Sequence, residues 1–310
     1  MDITVVGAGV IGLTTALTLE EHGHTVRIVA TATGPATTSA VAGAVWFPYR
    51  AGPPDKVARW AAETRVWLEQ LASDPATSAA TGIDVLTGYE ITNETSLVHA
   101  TPWWAANIEV SRAPAPVTAG LLAWKFRAPR VEPARFLPWL TARLRAQIEP
   151  RTIVDLAAEP GDLVINCCGL GARETAADTN LYPLLGQIVV TDPGEVDLSV
   201  TVTDHRNPDA IFYMIPRRDE LVLGGCSLPW PPGARPEIDP DVTRRILDQA
   251  RSLGLAVGRV RTERVGLRPY RLEVRLEREG RIIHNYGHGG AGFTLSRGCA
   301  DEVARLVNGA

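Results

Sequence analysis

The stretch that most constrains the fold lies at residues 3–30. Ile3-Thr4-Val5-Val6 is a short, mostly β-branched run, and Gly7-Ala8-Gly9-Val10-Ile11-Gly12 follows it directly. Leu13, Ala16, Leu17 and Leu19 then recur at helical spacing up to Glu21, Gly23 stops the helix, and Val26-Arg27-Ile28-Val29 reads as a second strand. Strand, G-x-G-x-x-G, helix, strand in this order opens a doubly wound parallel sheet of Rossmann type. Gly7 permits the tight turn, Gly9 lets a pyrophosphate reach the backbone, and Gly12 lets helix and strand pack closely. Ala8, Val10 and Ile11 complete the turn, and the free N–H groups of the helix start face the phosphates. The motif therefore predicts a dinucleotide and leaves FAD and NAD both open. The acidic ribose anchor expected about 20 residues on is missing. Val29 is followed by Ala30, Thr31 and Ala32, so only the neutral hydroxyl of Thr31 is on offer. No basic residue stands there, so nothing favours a 2′-phosphate.

Length and composition fit this reading. A chain of 310 residues with 45% hydrophobic and 21% charged residues predicts two domains or one large one, with a core that needs no staples. Net charge is −4 with the signs mixed, so no nucleic-acid partner is expected. Of the 31 basic residues only Lys56 and Lys125 are lysine, which leaves 29 arginines. Cys167, Cys168, Cys226 and Cys299 form no C-x-x-C pair and read as buried small residues. No apolar run reaches 18 residues, so no membrane span is expected. The N-terminal stretch lacks a basic region and the end Val307-Asn308-Gly309-Ala310 is no peroxisomal address, so the cytoplasm is the expected compartment.

The rest of the chain alternates between two textures. Thr31 to Ala44 is a small, hydroxyl-rich loop, readable as a solvated loop or as a phosphate neighbour. Pro54 to Ser73 is an amphipathic helix whose Trp60 and Trp67 read as core. Ile83 to Arg130 shows short β-like runs at Gly88–Thr92, Trp103-Trp104 and Ala123–Arg127. Pro133 to Gln147 is helical in pattern. Thr152-Ile153-Val154 and Leu163-Val-Ile-Asn166 read as strands, the second entering Cys167-Cys168-Gly169-Leu170-Gly171. Gln187 to Gly225 is strand-rich, and Asp239 caps a helix to about Leu253. Arg281 to Tyr286 is a strand, followed by Gly287-His-Gly-Gly-Ala-Gly292 and a helix to about Val307. The prediction is an α/β protein in which a Rossmann-type domain (1–46, 132–182 and 280–310) interleaves with a largely antiparallel β-sheet domain (47–131 and 183–279).

Four segments resemble D-amino-acid oxidases in order and spacing: Val6–Leu13, Trp46-Phe-Pro-Tyr49, Val265-Gly-Leu-Arg-Pro269, and His284-Asn-Tyr-Gly-His-Gly-Gly-Ala-Gly-Phe-Thr294. Ile165 to Gly171 also resembles the family's mid-chain turn toward the flavin. The resemblance implies non-covalently bound FAD. It implies oxidation of a D-amino acid to an imino acid by hydride transfer to flavin N5, with hydrolysis to a 2-oxo acid and ammonia. Dioxygen is then the acceptor and hydrogen peroxide the product. The partners expected are these small molecules, and the assembly a monomer or homodimer.

Residue by residue, the resemblance implies that Arg268 grips the substrate carboxylate, a task its forked guanidinium suits. Tyr213 contacts the same carboxylate, and the carbonyl of Gly290 receives the substrate amino group. Phe47 and Tyr49 line the pocket. Gly289, Gly290, Gly292, Thr294 and Arg268 lie near the flavin ring, and the terminal helix directs its N-terminus toward it. Thr37, Thr38, Ser39, Gly43 and Val45 contact flavin or phosphate, and Ile153 and Cys168 flank the cofactor. Eukaryotic members carry a lid tyrosine just before the strand of Tyr213. Asn207-Pro-Asp-Ala-Ile-Phe212 has none, so a shorter or absent lid is expected.

His284 and His288 are not expected to bind a metal, and no nucleophile elbow points to hydrolysis. D-aspartate oxidase would need a further cation, for which Arg50, Arg217 and Arg218 stand near the motifs. A glycine/sarcosine-type oxidase would share the same motifs, and an NAD-dependent dehydrogenase would use the first of them alone.

Overall fold

The computed structural model describes residues 1–93, 101–207 and 210–309. Pro208 and Asp209 of the expected lid position lie outside them.

The N-terminal unit forms as its pattern dictates. Strand β1 (Asp2–Val6) leads into helix α1 (Val10–Glu21) and strand β2 (Thr25–Ala30). The hydroxyl-rich loop tightens into a turn at Gly34–Ala36 and a single helical turn α2 (Thr38–Val41). Helices α3 (Pro54–Ser73) and α4 (Pro75–Thr81) precede strands β3 (Asp84–Ile91), β4 (Val110–Pro114) and β5 (Leu122–Arg130). Then come α5 (Pro133–Arg143), β6 (Ile148–Pro150), β7 (Leu163–Asn166) and the short α6 (Ala172–Thr175). The next strands are β8 (Tyr182–Thr191), β9 (Val200–Asp204), β10 (Phe212–Pro216), β11 (Leu221–Gly224) and β12 (Leu228–Pro229). Helix α7 (Pro240–Ser252), the long β13 (Val260–Glu279), β14 (Ile282–His288) and α8 (Gly292–Val307) complete the chain.

The strands join one sheet in the order β4-β5-β3-β9-β10-β11-β8-β13-β14-β7-β1-β2-β6. From β14 to β6 every pair is parallel. These strands come from three separated passes of the chain, and α1 and α8 pack over them. The other half is antiparallel except for the parallel pair β3–β9. Strand β13 belongs to both halves, antiparallel to β8 along one stretch and to β14 along the other, with a register shift between Tyr270 and Arg275. Each half has its own core. Val5, Leu19, Ile28, Phe136 and Ile165 lie in the parallel one, and Val189, Val202, Phe212 and Leu223 in the antiparallel one. Helix α3 crosses to the parallel half. The backbone of Trp60 sits so close to α8 that a Cβ on Gly298 would come 2.3 Å from the Trp60 carbonyl.

Several elements differ from the sequence reading, each for a local reason. Trp103-Trp104 makes a turn of 3₁₀ helix rather than a strand. Pro102 opens it, and Trp104 packs between Phe47 and Phe126 at 5.1 and 4.9 Å. Residues 152–154 are not a strand. The sheet edge ends where Ala30 pairs with Pro150, and proline offers no N–H to extend the ladder. Helix α5 stops at Arg143 because the Glu20 carboxylate takes the backbone N–H groups of Arg145 and Ala146 at 2.9 and 2.7 Å. Asp239 caps α7 by accepting from the N–H of Asp241 at 2.8 Å. The four cysteines are free thiols.

Candidate active site

A cavity of about 620 Å³ opens at the carboxyl ends of β1, β2 and β7 and continues onto the antiparallel sheet. Ligands of open α/β sheets bind at this edge.

The cavity begins at the glycine turn. Gly7 has φ of 119°, and a Cβ there would lie 2.3 Å from the Cys167 carbonyl. A Cβ on Gly12 would lie 1.9 Å from the Gly7 carbonyl, so strand, turn and helix meet without room for a side chain. Gly12 is therefore buried in this contact, while Gly7, Ala8, Gly9, Val10 and Ile11 line the cavity. The Val10 N–H donates to Ser39 Oγ at 3.0 Å, which brings the hydroxyl loop onto the start of α1. Thr37, Thr38, Ser39, Gly43 and Val45 all line the cavity. The Thr37 hydroxyl donates to the Gly34 carbonyl at 2.8 Å. Thr31 reaches the Thr152 hydroxyl at 3.4 Å across the β2–β6 edge, where the acidic anchor is missing. Ile153 and Cys168 close this end, and burial pushes the Cys168 thiol up to about 11.

The far end is built on β13, β10 and the glycine-rich turn after β14. Arg268 donates from Nη1 to the carbonyls of Cys226 and Leu185 at 2.7 and 3.3 Å. Among the described residues no carboxylate pairs with this half-buried guanidinium. Tyr213 stands beside it. Burial raises the phenol's pKa, and the arginine's charge only partly offsets this, so the hydroxyl keeps its proton.

Two glycines that the sequence reading did not single out make room for these side chains. A Cβ on Gly186 would lie 2.5 Å from Arg268 Cζ, and one on Gly224 would lie 2.0 Å from Tyr213 Cζ. Glycine inside a strand pattern was the available signal for both.

Gly289, Gly290 and Gly292 line the cavity, and a Cβ on Gly290 would lie 2.6 Å from Tyr49 Cδ1. Helix α8 starts here without a side-chain cap. Thr294, expected near the flavin, does not line the cavity. Its hydroxyl is engaged by the backbone of Phe47, accepting from the N–H at 3.1 Å and donating to the carbonyl at 3.0 Å. It clamps Phe47 and, with it, Tyr49 onto α8. His284 is turned elsewhere, accepting from Asn166 at 3.2 Å and donating to Glu279 at 3.1 Å.

The lining fits FAD by observations of its own. One end is a glycine cradle at the start of a helix. Among the described residues, three buried polar atoms on residues that line the cavity have no partner: Tyr49 Oη, His288 Nε2 and Asn285 Oδ1. Buried polar atoms without partners call for a ligand that supplies them. Burial lowers the His288 pKa to about 3, so this ring is neutral at pH 7.

Comparison with known proteins agrees with the fold. The family model described as "FAD dependent oxidoreductase" matches residues 2–306. The chain belongs to the FAD-dependent oxidoreductase family. Among curated members of this family, a D-amino-acid oxidase of Rubrobacter xylanophilus is 40% identical over 325 residues, covering 99% of this chain and 95% of that one. A D-amino-acid oxidase of Streptomyces coelicolor is 39% identical over 318 residues, covering 99% and 97%. The solved glycine oxidase of Geobacillus kaustophilus superposes with a TM-score of 0.81 at 21% identity, covering 99% and 94%. FAD is the cofactor of this family member. No helix among the described residues is long and apolar enough to cross a membrane.

Proposed function

We propose that the chain oxidises neutral D-amino acids. With dioxygen and water it would yield the 2-oxo acid, ammonia and hydrogen peroxide. The observation that carries this reading is Arg268: a guanidinium with no described carboxylate partner, anchored by two carbonyls, in the cavity that continues from the glycine turn. Such a group calls for an anionic ligand, and its fork matches a carboxylate. Two relatives at 39–40% identity are named D-amino-acid oxidases, which supports the substrate class.

FAD, when bound, supplies the two-electron redox chemistry. The chain's own residues bind and orient. Arg268 takes the carboxylate, and Tyr213, protonated, donates a second hydrogen bond to it. The carbonyl of Gly290 accepts from the substrate amino group. These three contacts fix the α-carbon and the direction of its C–H bond. Phe47 and Tyr49 exclude water from the wall beside it. The start of α8 turns N–H groups and the positive end of its dipole toward charge that develops in the cavity. At the other end Gly7, Gly9 and the hydroxyls of Thr38 and Ser39 would hold the pyrophosphate.

Acidic substrates fit less well. Arg217 is bound to Glu220 at 2.7 Å and Arg218 to the Ser78 carbonyl at 3.0 Å. Arg50 lies over the Tyr49 ring at 5.7 Å, and none of the three lines the cavity. The parallel half, 1–46, 132–182 and 280–310, is our FAD-binding domain, and 47–131 with 183–279 our substrate domain. Free thiols support a cytoplasmic location. We assign a monomer or homodimer.

The test is a visible absorption spectrum followed by a peroxide assay across D- and L-amino acids. A flavin spectrum with D-selective peroxide release is expected. A flavin spectrum with no turnover of any D-amino acid overturns the reading.

A further inference from the structure

His205 lies outside the four short motifs at residues 6–13, 46–49, 265–269 and 284–294, yet it lines the same cavity as Arg268 and Tyr213. It follows β9, where Thr203 pairs with Tyr213 of β10. Residues two apart along a strand project to one face, so Thr203 and the position of His205 lie on the face that carries Tyr213. The ring is fixed from two directions. Its Nδ1 lies 2.9 Å from Oε1 of Glu90, on β3 next to β9. Its face stacks on Tyr49 at 6.1 Å with an interplanar angle of 11°, and Phe47 stands 5.5 Å away.

Glu90 is buried, and its second oxygen has no partner among the described residues. The carboxylate accepts a hydrogen bond from Nδ1–H, which leaves the other ring nitrogen, Nε2, available for hydrogen bonding. No described residue bonds to it. Tyr49 contacts Gly290, so the ring stands at the end of the cavity where the substrate's own side chain must go.

We infer that His205, oriented by Glu90, is a specificity residue that hydrogen-bonds uncharged polar side chains of the substrate, such as hydroxyl and carboxamide groups. This rests on the D-amino-acid reading of the site. Glu90 also argues against an acidic side chain. A carboxylate directly behind the ring cancels the charge an imidazolium would offer and repels a second carboxylate. An apolar side chain gains nothing from Nε2 and packs on Phe47 instead.

The test compares isosteric pairs on the FAD-loaded enzyme: D-serine with D-2-aminobutyrate, D-threonine with D-valine, and D-asparagine with D-leucine. The readout is the polar-to-apolar ratio of kcat/KM within each pair. His205→Leu should lower this ratio about tenfold in at least one pair, the worth of one lost hydrogen bond. Glu90→Gln keeps an acceptor for Nδ1 and should hold the ratio within threefold of the parent. Glu90→Ala frees the ring and should lower it. Flavin absorption and melting temperature report whether each variant is folded and loaded. A His205→Leu ratio unchanged in all three pairs, with the flavin spectrum intact, overturns the inference. Failure of the unsubstituted enzyme to oxidise any of the six would instead overturn the D-amino-acid reading.

Discussion

The guanidinium of Arg268 occupies the space that a side chain on Gly186 would need, with Arg268 Cζ only 2.5 Å from where that Cβ would stand. Arg268 on β13 is registered with Leu184 on β8, and Gly186 lies two residues further along β8 on the same face. The arginine we assign to the substrate carboxylate thus owes its place to a glycine on the neighbouring strand.

Gly186→Ala should therefore act on binding before it acts on stability. The clashing atoms are the far end of a flexible side chain, which moves at little cost to the core. We expect a rise of about tenfold in substrate KM with a melting temperature close to the parent's. Steady-state kinetics beside thermal melting checks this. A large loss of stability with unchanged KM would count against the relationship.

On the proposed reading, Arg268→Leu removes the partner of the substrate carboxylate. Leaving a buried charge unpaired costs about 2–5 kcal/mol, which corresponds to roughly thirty- to several-thousand-fold in apparent affinity. FAD content should stay near stoichiometric. Arg268→Lys should recover part of the loss, because it restores charge but not the fork. Near-normal kinetic constants for the leucine variant would remove Arg268 from the role.

Gly12→Ala meets a different obstacle. Its Cβ would press on the Gly7 carbonyl at 1.9 Å, and backbone cannot swing away as a guanidinium can. Overpacking of this kind costs about 1–3 kcal/mol. It also displaces the turn that would carry the pyrophosphate. Lower melting temperature and weak FAD retention on gel filtration should appear together.

His288 couples stability to acid. Its pKa is lowered to about 3 by burial, whereas in the unfolded chain it returns to 6.5. Between these values the unfolded state binds a proton that the folded state refuses. The stability present above pH 6.5 is therefore lost as pH falls toward 3, at up to about 1.4 kcal/mol per pH unit for one proton. His284, whose pKa burial and the Arg275 charge also lower, adds in the same direction. Urea unfolding between pH 7.5 and 5 should show this slope, and His288→Gln should flatten it.

The sequence made the parallel half legible because its signals are local. A glycine turn between a β-branched run and an apolar helix specifies its own geometry, and β1, α1 and β2 follow it closely. Asp239 announced α7 for the same reason, since a cap is a contact between near neighbours. What stayed hidden depends on distant partners. The end of α5 is set by Glu20, more than a hundred residues away along the chain. The irregular course of residues 152–154 depends on where β2 ends. The site divides in the same way. Arg268 and Tyr213 sit in recognisable segments, but Gly186 and Gly224 matter only through side chains on other strands. The Thr294 hydroxyl went to the Phe47 backbone, an interaction that no local pattern of hydroxyls reveals.

Strand β13 carries Arg268 while pairing with both halves of the sheet. Side chains alternate along it, so a one-residue slip against β8 would turn Arg268 out of the cavity. The glycine turn at residues 7–12 would not feel that slip. A slipped molecule would keep that turn and lose the arginine from the cavity. The two ends of the site thus answer to different determinants, one to local sequence and the other to the alignment of two strands.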